Sequence, residues 1–305
     1  MNAIPEQVAA LLRERDEARA AKDYARSDAL RDRIDALGFT VRDTPQGGVA
    51  EAKPKFEVLD AADVPNMLDR PAACAISIHV LYEGFRNDLS RFVDSVARHG
   101  AGHDYEIVIT ECASPEGASS DGEWIESLAG ERVRVLHFAD DPGWAAGRNA
   151  AIGVSRGALI AVADLSVELT GDLLGPLVKI FDDGRVGVAG PWGLRTRNLR
   201  DFEEVEGPEV AHAIQGYFLT TRRDIAREHR FDRKFAWYRH ADIDLSFAIR
   251  AAGYRAVATE PAATRHTHRA WMALDEDERA KRSRRNFSRF LDRFKDRTDL
   301  IETGV

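Results

Sequence analysis

The chain of 305 residues reads as an α/β protein, a mostly parallel sheet with helices on both faces, preceded by an α-helical hairpin. Three observations predict this. Beyond residue 70, short β-branched runs alternate with amphipathic stretches, the pattern of buried strands joined by crossover helices. The first fifty residues carry only a helical period. Finally, 44% hydrophobic and 31% charged residues supply a sizeable core and exclude a mostly disordered chain. At roughly 150 residues per domain, the length suggests about two domains.

In order, Val8, Leu11, Leu12 and Ala18, then Tyr24, Leu30, Ile34 and Leu37, recur at three- and four-residue steps, one buried stripe on each of two helices. The break falls at 21–23, where Asp23 caps the second helix, and Gly38 stops it as a C′ glycine. Thr44-Pro45-Gln46-Gly47-Gly48 closes a first domain at 1–48, and 49–71, with Lys53-Pro54-Lys55, reads as a linker. The large domain, 72–270, then runs strand 75–80, helix 87–98, strands 106–110 and 133–138, helix 144–155, strand 158–163, helix 172–181 and strand 186–189. Strand 214–220, helix 242–252 and strand 255–259 complete it. Ligands of such sheets sit beyond the carboxyl ends of the strands, which directs attention to the loops opening at Leu81, Glu111 and Asp164. The terminal segment, 271–305, is a basic amphipathic helix with Phe287, Phe290, Leu291 and Phe294 on one face; the phenylalanines anchor it and the arginines stay solvated.

Forty-three basic against 51 acidic residues give a net charge of −8, which offers no global attraction to nucleic acid or anionic membranes. The longest apolar run, 158–163, is far below the roughly 20 residues that cross a bilayer, so no transmembrane segment is expected. The first residues lack a basic stretch followed by an apolar one, and so do not read as a secretory signal. Cys74 and Cys112 form neither a C-x-x-C pair nor a disulfide framework, which suits a reducing compartment. A cytoplasmic protein is the expectation.

Gly153-Val154-Ser155-Arg156-Gly157 matches the G-x-S-x-G elbow of hydrolases, but a helix precedes it and a strand follows, the reverse of what a nucleophilic Ser155 requires. Walker A, H-E-x-x-H and deaminase zinc motifs are absent. Asp164 follows the 158–163 strand, where a carboxylate can hold a divalent cation that neutralises a diphosphate, or can cap the next turn. Gly143-Trp144-Ala145-Ala146-Gly147-Arg148-Asn149 presents Arg148 at a helix start, either toward a phosphate or as packing. Asp242 and Asp244 lie in a first helical turn; they complement the helix dipole, and a carboxylate facing a cleft there can act as a general base. His266 and His268 flank Thr267, so in a strand both rings share one face, as metal ligands or as a packed pair.

Together and in this order, these segments resemble the family 2 glycosyltransferases, inverting enzymes of GT-A fold that use nucleotide-activated sugars; the resemblance covers about 74–270. Glu106-Ile107-Val108-Ile109-Thr110-Glu111-Cys112-Ala113-Ser114 is similar to the stretch whose acid reads the donor base, with Glu111 at that position. DPGWAAGRNAAIGVSRG resembles the N-x-G-x-A-x-A-R-N helix, with Asp141 for the first Asn and Arg148-Asn149 intact. VADLSVELTGD resembles the metal-binding D-x-D strand end, with Ser166 in the second acidic position. FDRKFAWYRHADIDLSFAIRAAGYR resembles the acceptor-side segment whose Glu-Asp pair supplies the base; Asp242 matches the Asp, and Ala241 stands for the Glu. Leu81-Tyr82-Glu83-Gly84 replaces the usual P-T-Y-N loop. The resemblance implies sugar transfer from a nucleotide-diphosphate donor to an acceptor hydroxyl with inversion. It makes Asp242 the catalytic base and Glu111, Arg148, Asn149, Asp164 and Ser166 the donor-binding residues. Asp164 with His266 or His268 would hold Mn²⁺ or Mg²⁺, and Trp237, Tyr238 and Asp244 would lie on the acceptor side. The lost acids at 166 and 241 also admit a rival, a non-catalytic GT-A-like protein that binds a nucleotide or a partner.

The first fifty residues resemble the C-terminal helical tail of cysteinyl-tRNA synthetases, through A-K-D-x-x-x-S/A-D-x-x-R-D and D-T-P-x-G elements. Residues 1–50 hold 8 basic and 9 acidic side chains, no landing pad for RNA. The hairpin reads as a docking or self-association module; an RNA-associated factor acting through it and the arginines of 279–297 is the minority alternative.

Overall fold

The computed structural model describes residues 4–53, 55–112, 121–205 and 207–302. The chain divides into two units, residues 1–55 and 56–305.

In the first unit, α1 (Glu6–Ala20) and α2 (Tyr24–Ala36) are followed by β1 (Phe39–Thr44) and β2 (Gly47–Ala52). The Asp23 carboxylate accepts from the Arg26 N–H at 3.1 Å, the expected cap, and Gly38 takes φ +83°, which its missing Cβ permits. The residues from 49 to 52, expected as linker, are instead strand. β1 and β2 pair antiparallel, and the cross-strand partners Val41 and Ala50 close the core that Val8, Leu11, Ala18, Leu30 and Ile34 leave open on the helices. One buried residue per strand is too sparse a pattern to reveal a hairpin in the sequence. The fully buried Arg15 donates to both Asp43 carboxylate oxygens, at 2.8 and 3.2 Å, and so ties α1 to β1.

The second unit opens with β3 (Val58–Leu59), β4 (Cys74–Tyr82), α3 (Arg86–His99), β5 (Tyr105–Cys112), α4 (Gly122–Glu126) and β6 (Val133–Phe138). Next come α5 (Trp144–Val154), β7 (Gly157–Ala163), β8 (Val167–Leu169), α6 (Leu174–Ile180), β9 (Val186–Gly190), β10 (Gly193–Thr196) and β11 (Phe202–Val205). After them run β12 (Glu209–Ala211), β13 (Ala213–Ile214), β14 (Phe218–Arg222), α7 (Arg223–Glu228), α8 (Ala241–Ala251) and β15 (Arg255–Ala258). β16 (Ala263–Arg265), α9 (Arg269–Met272), α10 (Glu276–Phe294) and α11 (Asp299–Glu302) end it.

The main sheet has the order β12-β15-β9-β14-β7-β4-β5-β6-β3. It is parallel except at β14, which runs antiparallel to β7 and β9, and at β12, antiparallel to β15. Both faces are covered, as β7 shows: Leu159, Ala161 and Ala163 enter the core containing α3 and α6, while Ile160 and Val162 enter the core containing α5 and α8. The expected strand 214–220 is broken. β13 pairs with β10 in a small side sheet, and the chain turns through 215–217 before β14 rejoins the main sheet. The phenylalanines of α10 pack as expected: Phe290 and Phe294 lie 5.2 and 5.7 Å from the Phe247 ring on α8. Among the described residues, no helix is long and apolar enough to cross a membrane.

Candidate active site

β4, β5 and β7 are parallel neighbours, so their carboxyl ends deliver Glu83, Glu111 and Asp164 to one edge of the sheet. A cavity of about 540 Å³ opens there; Trp144, Arg148, Asp164, Tyr238, His240 and Asp242 are among its walls. Asp164 and Asp242, 78 positions apart in the sequence, therefore face a common hollow.

Asp164 ends β7 on a tight turn in which the Ser166 N–H and Oγ–H both donate to Oδ1, at 2.8 and 2.5 Å. Its Oδ2 lies 2.8 Å from His268 Nε2. Burial alone would raise the carboxyl, but the bonds from His268 and Ser166 outweigh it and hold Asp164 below the usual range. Burial followed by the Asp164 charge pushes Glu83 up to about 7. Glu83 Oε2 is 3.7 Å from the same imidazole nitrogen, and one ligand atom each of Glu83, Asp164 and His268 fall within 4.8 Å of one another. The Tyr238 ring stacks on His268 at 4.8 Å. His268 Nδ1 accepts from the Trp271 N–H at 3.0 Å, so Nε2 carries the ring proton and donates to Asp164.

Two carboxylates and an imidazole suit a divalent cation of the Mn²⁺ kind. Ligation through Nε2 would place the ring proton on Nδ1, where the Trp271 N–H that caps the short α9 is now accepted.

Asp242 sits in the first turn of α8. Oδ2 accepts from the Gly216 N–H at 2.7 Å and Oδ1 from the Ile243 N–H at 2.9 Å. Burial raises its carboxyl, and these two backbone donors moderate the rise. Gly216 lies where the expected strand breaks, and its missing Cβ lets the chain pass close to Asp242: a Cβ there would lie 3.2 Å from Asp242 Cβ. Ala241 is 1% exposed, packs into the core with Leu245 and Ile249, and does not line the cavity.

Residues 78–245, more than half of the chain, match the family described as glycosyl transferase family 2. The chain belongs to this family.

The fold agrees. A solved structure of GalNAc-T7 with UDP, GalNAc and Mn²⁺ superposes with a TM-score of 0.61 at 14% identity, over 74% of this chain and 50% of that one. Residues 1–48 of the family 2 chain match the cysteinyl-tRNA ligase anticodon binding domain. The cysteine–tRNA ligase of Nitratidesulfovibrio vulgaris (strain DP4) is 63% identical over 43 residues, 14% of this chain and 9% of that protein. That of Bdellovibrio bacteriovorus is 57% identical over 51 residues, 17% and 11%. The chain thus spans about a tenth of the length of these curated relatives.

Within the family 2 framework, several expected site residues are placed otherwise. Arg148 is 3% exposed and donates to the Ala163 and His79 carbonyls at 2.9 and 3.2 Å; it lines the cavity but pins β7 to β4 rather than projecting outward. Asn149 does not face the cavity: Nδ2 donates to the Phe231 carbonyl at 2.8 Å and Oδ1 accepts from the Phe231 N–H at 3.1 Å, which satisfies both ends of its amide. Ser166 is buried on Asp164. His266 is not with His268; β16 ends at 265, strand alternation stops, and His266 Nε2 turns to Glu168 at 2.7 Å. Asp244 is on the opposite side of α8 from Asp242, two residues or roughly 200° away, and is buried against Arg293 of α10. Trp237 leaves the cavity to stack near Trp271 and beneath Arg282. Tyr238 alone of the three acceptor-side expectations lines it. Ser155 donates to the Ala151 carbonyl at 2.9 Å and is buried, no nucleophile.

Glu111 is at the end of β5 but in a separate niche. It bonds His137 Nδ1, whose ring stacks under Phe56 at 3.7 Å and whose Nε2 meets Glu126 at 3.1 Å. Glu111 Oε1 is buried with no partner among the described residues. Ala113 and Ser114 of the same motif lie outside the described residues. Glu83, outside the motifs, completes the group that could hold a cation; its sequence signal is an acid just after β4, the same placement that marks Asp164 after β7.

Proposed function

We propose that this chain transfers a glycosyl group from a nucleotide-diphosphate sugar to an acceptor hydroxyl, with inversion at the anomeric carbon. The observation that carries the reading is the convergence of Asp164 and Asp242 on one cavity at the carboxyl edge of a family 2 sheet. Asp242 takes the proton of the acceptor hydroxyl as that oxygen forms its bond to the anomeric carbon; the bond from that carbon to the phosphate oxygen breaks, and the nucleoside diphosphate leaves with the electron pair. One carboxylate acting once is a single displacement, hence inversion. The Gly216 and Ile243 N–H groups fix Asp242 for this step, and its raised affinity for a proton, caused by burial, suits a base.

A divalent cation, when bound, would be held by Asp164 and Glu83 with His268 and would neutralise charge on the departing diphosphate. Arg148 adds a fixed positive charge behind Asp164 without leaving its carbonyl partners. The Glu111 oxygen that has no partner among the described residues is offered as an acceptor for a donor-base N–H or ribose hydroxyl. The first unit, with its own core and with Tyr24, Leu37 and Val49 exposed, is taken as a docking or self-association module. The test is turnover against a panel of UDP-, GDP- and dTDP-sugars with mixed acceptors: product of inverted configuration, absent with Asp242→Asn, supports the reading, and retained turnover in that variant removes it.

A further inference from the structure

Five arginines line the cavity, Arg148, Arg200, Arg239, Arg265 and Arg284. Two are engaged. Arg148 is buried on backbone carbonyls, and Arg265 pairs with Glu204 at 2.9 Å. Arg200, Arg239 and Arg284 have no ion-pair partner among the described residues; Arg239 only overlies the Trp271 ring, and the side chain of Arg200 makes no hydrogen bond there. They arrive from three elements, the β10–β11 loop, the loop before α8, and α10, and all three are exposed. Solvated arginines are ordinary on a surface, but three converging on one cavity from unrelated elements are not a helix-face stripe. Two placements tie Arg239 and Arg284 to the neighbourhood of Asp242, and Arg200 shares the cavity with them. Arg239 is close enough for its charge to favour the ionised Asp242, and Ser283, next to Arg284, is 3.0 Å from His240, two residues before Asp242.

The charge of the cavity wall sharpens the point. Against five guanidinium groups stand Asp164, Glu204 and Asp242, so the wall carries an excess of two positive charges before any occupant arrives. On the glycosyl-transfer reading the donor's diphosphate is assigned to the Asp164 end of this same cavity, beside Glu83, which leaves Arg200, Arg239 and Arg284 for another occupant. Phe202, Ile243 and Phe287 form apolar wall between the arginines, which suits an occupant larger than a bare ion.

We propose that the acceptor carries a phosphomonoester, held by Arg200, Arg239 and Arg284 while its hydroxyl reaches Asp242. Three guanidinium forks match three terminal phosphate oxygens better than the two of a carboxylate. The proposal rests on the glycosyl-transfer reading, which makes Asp242 the acceptor's base. The phosphate belongs either to a soluble ester or to a lipid headgroup.

The experiment titrates the full chain with glycerol 3-phosphate, with glycerol as the neutral control, and floats it with phosphatidylcholine vesicles with and without phosphatidic acid. UDP and GDP, each with Mn²⁺, are titrated in parallel. Arg200→Gln/Arg284→Gln is expected to weaken the phosphate arm at least tenfold, with UDP or GDP binding unchanged; Arg284→Lys, which keeps the charge but not the fork and guards against misfolding, is expected to fall between that variant and the wild type. Response to glycerol 3-phosphate identifies a soluble ester and response to phosphatidic acid a lipid one; either supports the proposal. Phosphate binding by neither arm, or binding indifferent to the double variant, overturns it, as does loss of nucleotide binding in that variant, which would give the arginines to the donor. A wild-type chain that binds neither nucleotide with Mn²⁺ refutes the transfer reading, and with it the acceptor role, even where the phosphate arm responds.

Discussion

Replacing Asn149 by alanine separates a structural role from a donor-binding one. Its amide makes two neutral hydrogen bonds to the backbone of Phe231, at 2.8 and 3.1 Å, and is 7% exposed. Alanine leaves the Phe231 N–H and C=O buried without partners, at about 1–3 kcal/mol each. The expected loss is therefore about 2–6 kcal/mol, a large share of a domain's stability. It also reaches the cavity wall, because the Phe231 ring meets Trp144 edge-on at 4.8 Å. Urea unfolding followed by tryptophan emission is the assay. All five tryptophans, at 124, 144, 192, 237 and 271, lie in the second unit, so the signal ignores the first. Asn149→Asp keeps an acceptor for the Phe231 N–H but sets an oxygen against its carbonyl, and is expected to be nearly as damaging. A variant within 0.5 kcal/mol of wild type that has lost donor affinity would refute this account of Asn149.

Asp242→Asn is expected to lower kcat by about 10²–10⁴ with donor affinity preserved. In the wild type, activity rises with pH as Asp242 loses its proton, with a midpoint above the 3.8 of an ordinary aspartate; a midpoint at or below 3.8 would contradict its buried environment. Burial holds His212 and His240 down to about 4 and His79 well below 6.5. At these three rings the unfolded chain binds more protons than the native one between about pH 6.5 and 4, while Glu83, raised to about 7, and Asp244, raised to about 6, bind more in the native chain over the same window. The two sets oppose each other, so melting temperature should change little there, and a steep fall on acidification would argue against the raised acids. Mn²⁺ binding at His268 should change tryptophan emission by uncapping the helix that carries Trp271, and Trp271→Phe should remove most of the change; an unaltered response in that variant would mean that the cap persists.

The sheet was legible because its buried strands are continuous apolar runs separated by amphipathic helices, a pattern set by burial on both faces. β10, β11 and β13 were not, since strands of two to four residues are too short to show a period. The placement of Asp164 and Asp242 at one cavity was legible for a similar reason: the end of a parallel strand and the first turn of a helix fix where a short side chain points. Arg148 and Asn149 were not, because their partners, the Ala163 and Phe231 backbones, are chosen by tertiary packing. His266 illustrates the dependence on local geometry, for its shared face with His268 required a strand that ends one residue earlier. Glu83 lay between these cases, in the right place but outside the motif.

The claim on which the rest depends is that Asp164 anchors a cation-assisted donor site while Asp242 serves the acceptor in the same cavity. Titration of wild type, Asp164→Asn and Asp242→Asn with UDP and GDP, with and without Mn²⁺, tests it most directly. The account predicts binding by wild type and Asp242→Asn only when Mn²⁺ is present, and at least a tenfold loss in Asp164→Asn. Nucleotide binding that ignores both the metal and the Asp164 substitution would contradict it.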